Sequence, residues 1–227
     1  MGNLCIIPAR GGSKRIPKKN IKDFLGKPIM TYSIQAALDS GLFDEVMVST
    51  DDVEIADIAK KYGATVPFMR SEKNSNDFAT TYDVIEEVLK AYQANGSSFI
   101  NICCLYSCAP FVTPASLNKA YSHLKDQNFD TVFPIVAYHF PIQRALRNNN
   151  GRVSMISEQH LNARSQDLED TFHDAGQFYW CKTEQLLKSK KILTSNTGGI
   201  EISALHAQDI DTKTDWKLAE MKFQLMK

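Results

Sequence analysis

Five cations crowd a ten-residue stretch around two glycines, Arg10-Gly11-Gly12-Ser13-Lys14-Arg15-Ile16-Pro17-Lys18-Lys19, directly after a short apolar run, Leu4-Cys5-Ile6-Ile7. Glycines let backbone N–H groups approach phosphate oxygens and cations neutralise their charge, so the segment reads as a polyphosphate cradle. It is not the ATPase loop, which closes on Gly-Lys-Ser/Thr, nor the dinucleotide turn, which needs GxGxxG after the strand. A basic loop at a sheet edge is the plainer alternative. Two prolines, two glycines and five cations between positions 8 and 20 weigh against it.

A polyphosphate calls for a divalent ion, and magnesium prefers one or two carboxylates completed by phosphate oxygens and water. Asp209-Ile210-Asp211 offers two carboxylates on the same side of an extended segment, because side chains alternate with period two. The alternative is that Asp211 and Thr212 simply begin the final helix. Asp51, in Ser49-Thr50-Asp51, is either the cap of a helix over 52–62, worth about 1 kcal/mol, or a nucleotide contact.

The elements that must hold these groups alternate along the chain. Apolar runs at 4–8, 46–50, 64–68, 99–105 and 131–136 read as buried strands, and 29–40, 52–62, 79–94 and 114–126 carry helical spacing. Thr113-Pro114 supplies a cap and a first-turn proline. Strands resume near 177–181 and 199–204, and a helix over 214–226 closes the chain. This alternation predicts an α/β domain spanning 1–227, with a mainly parallel sheet between two helical layers and ligands beyond the carboxyl ends of the strands. The pattern breaks over 137–175, which reads as a β-rich excursion with a hairpin at Asn150-Gly151.

The chain carries 26 basic and 26 acidic residues, so it lacks the broad positive surface of a nucleic-acid binder. Its five cysteines form no CxxC pair, and Cys5, Cys103 and Cys104 fall in strands, which predicts reduced thiols in the cytoplasm. No apolar run is long enough to span a membrane.

Ile7 to Lys14, then Ile16-Pro17, Lys18-Lys19-Asn20-Ile21 and Gly26-Lys27-Pro28-Ile29, resemble in unbroken register the CMP-sialic acid synthetase (acylneuraminate cytidylyltransferase) family. That resemblance implies a three-layer Rossmann-like nucleotidyltransferase fold, CTP as co-substrate, and magnesium or manganese on Asp209 and Asp211. It implies CTP contacts from Ala9, Arg10, Gly11, Gly12, Ser13, Lys14, Lys19, Asn20, Asp51 and Arg70, with Arg10, Lys19, Asp209 and Asp211 as the catalytic group. It further implies that the excursion is an arm pairing two subunits and reaching into the partner's site.

On the sugar side, Arg164 and Gln166 in Arg164-Ser165-Gln166-Asp167 match the family's Arg-x-Gln-Asp segment, and Phe178 and Tyr179 match the strand after it. A guanidinium suits a sugar carboxylate bidentately. Most of the family carry Leu-Gln-Pro-Thr-Ser-Pro where this chain has Leu105-Tyr106-Ser107-Cys108-Ala109-Pro110, and glycine where it has Arg15. These departures resemble the bacterial branch that activates pseudaminic acid, a diacetamido, deoxygenated relative of sialic acid. Expected partners are therefore CTP, an acidic nine-carbon sugar and a second copy of the chain. N-acetylneuraminic and legionaminic acids are the alternative sugars, and a non-catalytic nucleotide- or sugar-binding regulator is the alternative class.

Overall fold

The computed structural model describes residues 2–226. Strand β1 (Asn3–Pro8) leads to a short ribbon, β2 (Asp23–Phe24) and β3 (Lys27–Pro28), then α1 (Met30–Ser40), β4 (Glu45–Ser49) and α2 (Val53–Lys61). Next come α3 (Thr81–Ala94), β5 (Asn101–Leu105), α4 (Pro114–Asp126) and β6 (Thr131–Ala137). The hairpin β7 (Leu146–Asn149) and β8 (Arg152–Met155) is followed by β9 (Phe172–Asp174) and β10 (Phe178–Lys182). Helix α5 (Thr183–Ser189), β11 (Thr197–Glu201) and α6 (Lys213–Leu225) complete the order.

The central sheet runs β11-β6-β10-β5-β1-β4, with β9 added to β6. Strand β1 is parallel to β4 and β5, and β11 to β6, whereas β10 runs antiparallel to both β5 and β6. The period of two divides the core. Cys5, Ile7, Val48, Cys103 and Leu105 pack with Met30, Ile34, Ile55, Leu117 and Leu124 of α1, α2 and α4. Leu4, Ile6, Met47, Ile102 and Cys104 meet Ile85, Val88, Leu89 and Tyr92 of α3 on the other face. Each fully buried aliphatic side chain stabilises this arrangement by about 1.5–3 kcal/mol.

A satellite core matters more for the site. Ile16 of the cationic loop and Ile210 of the aspartate segment are buried together with Phe24, Ile29, Phe111, Trp216 and Ala219. Phe24 meets the Trp216 ring edge-on at 5.6 Å. The α6 N-terminus is fixed by a capping box in which Thr212 and Asp215 satisfy each other's backbone amides. Thr212 is thus the cap, and Asp211 is released from that duty.

Other elements depart from expectation. The stretch 64–68 is no strand: Thr65 alone bridges Met47, and Pro67, lacking an N–H, ends the pairing. The cap of α2 is Asp52, whose carboxylate accepts from the Ile55 amide, so Asp51 does not cap. As expected, Thr113 caps α4, in a box with Ser116, and Pro114 opens the helix's first turn. Between β6 and β9 the excursion forms the expected hairpin. Asn150 and Gly151 both take positive φ, 52° and 87°, as a two-residue turn of the mirror-image type requires.

Candidate active site

Beyond the carboxyl ends of β1 and β5 lies a cavity of about 420 Å³. Arg10, Ser13, Lys14, Arg15, Lys19 and Asn20 line it from the first loop, Tyr106, Ser107 and Cys108 from the segment after β5, and Asp209, Ile210 and Asp211 from the segment before α6. A smaller pocket of about 240 Å³ shares Pro8, Arg10, Asp77 and Tyr106 and is bounded by Arg70, Asn74, Ala79, Thr80 and Thr81.

Local struts hold the loop in shape. The Ser13 amide donates to the Gly11 carbonyl at 2.9 Å. Buried Asn20 donates from Nδ2 to the Arg10 carbonyl at 2.8 Å and accepts from Ser107 Oγ at 2.8 Å, tying the loop to the end of β5. Ala9 is buried, and its amide donates to the Ser49 carbonyl. Gly11 is needed for space, since a Cβ there would lie 2.7 Å from the Asp52 carboxylate. Its amide donates to Asp51 Oδ1 at 2.9 Å, so Asp51 braces the loop and that N–H is already paired. Gly12 faces open space.

The cations find carboxylates around the cavity. Arg15 contacts Asp211 Oδ1 at 2.9 Å. Lys19 lies 3.6 Å from the same oxygen and donates to the Ile210 carbonyl at 2.8 Å. Arg10 and Lys14 both meet Asp77, at 2.8 and 2.5 Å, and their hydrogen bonds, Lys14's first, hold its carboxyl below the usual range. Lys18 turns away to Glu54. Burial raises the Asp209 pKa, and neighbouring Asp211 raises it further. Asp211 has two cationic partners, while half-buried Asp209 sits beside a like charge that Lys19 only partly offsets, a position that favours a bound cation. Among the described residues no cluster of three or more His, Cys, Asp or Glu forms a metal site. The aspartate pair suits an ion whose other ligands are phosphate and water.

The remaining predicted residues are placed differently. Arg70 is buried; its Nε donates to Ser49 Oγ at 3.0 Å and another guanidinium nitrogen to the Ser49 carbonyl, so it lines the smaller pocket while holding the end of β4. Its burial lowers its pKa, an effect partly offset by Asp51 and Glu87. Phe178 is wholly enclosed in the core against α1 and α4 and does not reach the cavity. Tyr179 lies on the other face, packed edge-on to Tyr106 with ring centroids 5.5 Å apart. Arg164 and Gln166 are exposed on the excursion and line neither pocket. Sequence reasoning missed Asp77, which carries no signal in the polar run Asn74-Ser75-Asn76-Asp77. It also missed Cys108, whose thiol burial pushes up to about 11.

A mainly parallel three-layer sheet, a cationic loop after its first strand and an aspartate pair before its last helix define a nucleotidyltransferase. The chain belongs to the cytidylyltransferase family, whose model matches residues 4–220. It is 42% identical over 226 residues to the pseudaminic acid cytidylyltransferase of Campylobacter jejuni, covering 99% of this chain and 97% of that one. It is 30% identical to the CMP-N,N'-diacetyllegionaminic acid synthase of Legionella pneumophila, over 98% and 96% of the two chains. The fold matches that of CMP:2-keto-3-deoxy-manno-octonic acid synthetase complexed with CTP, with a TM-score of 0.73 over the whole of both chains at 18% identity. Among the described residues no helix is long and apolar enough to cross a membrane.

Proposed function

We propose that this cytidylyltransferase joins CTP to pseudaminic acid, releasing pyrophosphate and forming the CMP-sugar. The observation that carries the reading is the convergence of Arg10, Lys14, Arg15 and Lys19 with Asp209 and Asp211 around one cavity, in a chain 42% identical to a pseudaminic acid cytidylyltransferase. The triphosphate lies along the first loop, where Arg10 and Lys14 exchange Asp77 for phosphate oxygens. The base enters the smaller pocket beside Arg70. Ser13, Lys14 and Lys19 orient the phosphates so that the anomeric oxygen of the sugar displaces pyrophosphate at the α-phosphorus. Positioning and charge stabilisation supply most of the acceleration in such transfers.

Asp209 and Asp211 would hold a divalent ion, magnesium or manganese, whose charge when bound offsets that of the phosphate oxygens. Tyr106 borders the sugar. The excursion pairs with its symmetric copy, burying Phe140, Leu146, Val153 and Ile156, now exposed, and carrying Arg164 and Gln166 to the partner's cavity. Five free thiols suit a reducing cytoplasm. Legionaminic acid is the second reading, favoured by the similarity to the Legionella enzyme. Incubation of pseudaminic acid with CTP, ATP, GTP and UTP in turn, with mass detection of the nucleotide-sugar, tests the reading. The expected product appears with CTP, and product with another nucleotide alone would refute it.

A further inference from the structure

Two carboxylates one turn apart on α3, Asp83 and Glu87, grip the irregular segment that walls the smaller pocket. One oxygen of Glu87 accepts from the Ser71 amide at 2.7 Å, and the other accepts from the Ser71 hydroxyl at 2.8 Å and from Asn74 Nδ2. The same Asn74 nitrogen donates to the Asp83 carbonyl at 3.3 Å. Asp83 itself accepts from the Thr80 amide at 2.8 Å and the Thr80 hydroxyl at 2.7 Å. At the other end of the segment the Arg70 amide donates to the Thr50 carbonyl at 2.7 Å. Arg70, Asn74 and Thr80 all line the pocket.

An ionised carboxylate only accepts, so Glu87 also decides which way the Asn74 amide faces: its N–H₂ group must point to the helix. Burial alone would raise the Glu87 pKa, but the hydrogen bonds from Ser71 and Asn74 outweigh it and hold the carboxyl below the usual range, so the clamp is ionised at neutral pH. Between Arg70 and Thr80 the chain forms no strand, only a short turn over Glu72–Asn74, and its shape depends on such ties. Without Glu87, Ser71 and Asn74 regain the freedom of an exposed loop, and a ligand must order them as it binds. We infer that Glu87 is a positioning residue for the nucleotide: by clamping Ser71 and Asn74 it sets the pocket wall beside Arg70 in shape before CTP arrives. The inference rests on the reading that the base enters the smaller pocket.

The test measures the Kd for CTP with magnesium by titration calorimetry, and the sugar KM at saturating CTP by pyrophosphate release, in full-length variants. Glu87→Ala should weaken CTP binding by about three- to tenfold, the cost of ordering one or two side chains, with the sugar KM within about twofold. Glu87→Gln keeps an acceptor for the Ser71 amide but turns an N–H₂ group toward Asn74, so its loss should fall between wild type and Glu87→Ala. Asn74→Ala breaks one arm of the clamp and leaves the charge beside Arg70, so it should act in the same direction even if Glu87→Ala folds poorly. Because both act through one clamp, the double variant should bind CTP within about twofold of Glu87→Ala. Multiplying losses would show independent contributions and overturn the inference. Thr81→Trp fills the same pocket without touching the clamp. If it weakens CTP binding while Glu87→Ala does not, the clamp is overturned and the pocket keeps the base. If neither variant moves the CTP Kd, the reading of the pocket falls and the inference with it. A lower melting temperature at unchanged CTP affinity, or equal losses toward CTP and sugar, would show a purely structural role and would also overturn it.

Discussion

The cationic loop and the excursion carry the residues proposed for the two substrates, and the chain packs them to very different degrees. Loop 8–20 is anchored by Ile16 in the satellite core, by Asn20 to Ser107 and by Gly11 to Asp51, and its cations meet Asp77 and Asp211 across the cavity. Excursion 138–171 packs little. Phe140 is 85% exposed, Val153 and Ile156 are each 59% exposed, and Arg164 stands in solvent away from both pockets. A lone hairpin of this kind gains little stability in water. The proposed nucleotide half is therefore held by intrachain contacts, whereas the residues proposed for the sugar stand on an exposed surface, as the proposed pairing with a second copy requires.

Removing a group from the finished half should have the largest effect. Asp211→Ala takes away one of the two carboxylates proposed to hold the ion, and with it the partner of Arg15 and Lys19. Because Thr212 caps α6, the helix should survive. Turnover is expected to fall by about a hundred- to a thousandfold with an unchanged melting temperature, measured by pyrophosphate release beside thermal denaturation. Full activity at saturating magnesium would remove the aspartates from the site. Lys19→Ala should follow, with a loss of about ten- to a hundredfold read mainly in CTP kinetics, since the charge proposed to face the phosphates and the tie to the Ile210 carbonyl disappear together.

The excursion should respond differently. Phe140→Asp combined with Val153→Asp places charges in the proposed isologous contact. Light scattering should report a monomer, and sugar-dependent turnover should fall about tenfold or more while CTP binding stays within twofold. A wild-type monomer at micromolar concentration would end the two-copy account. The smallest effect belongs to Asp77→Asn. Freed from an exposed ion pair, Arg10 and Lys14 should bind CTP about two- to fivefold more tightly at low salt, a gain that fades as ionic strength rises. Titration calorimetry at two salt concentrations reads both.

Legibility divides along the same line. The strands alternate so regularly, Leu4 and Ile6 against Cys5 and Ile7, that sheet, layers and ligand-bearing edge follow from periodicity, and the turn at Asn150-Gly151 follows from its residue types. The cationic loop and the aspartate pair were legible because their charges are dense and close in sequence. What stayed hidden depends on three-dimensional pairing. Asp51 and Asp52 are neighbours in sequence, yet one braces Gly11 and the other caps α2, a division that only the approach of the first loop decides. Asp77 becomes part of the site because it lies against Arg10 and Lys14, far away in sequence. Phe178 and Tyr179 alternate as a strand requires, but neither lines the cavity, because β10 is buried between β5 and β6.

The central claim is that this cavity activates pseudaminic acid with CTP, and competition among acidic nine-carbon sugars tests it most directly. With CTP and magnesium fixed, kcat/KM is measured for pseudaminic, legionaminic and N-acetylneuraminic acids by pyrophosphate release, and the product is confirmed by mass. The account predicts CMP-pseudaminic acid as the product, with an efficiency at least about tenfold above either competitor. A reversed ranking, or no pyrophosphate with pseudaminic acid, would contradict it.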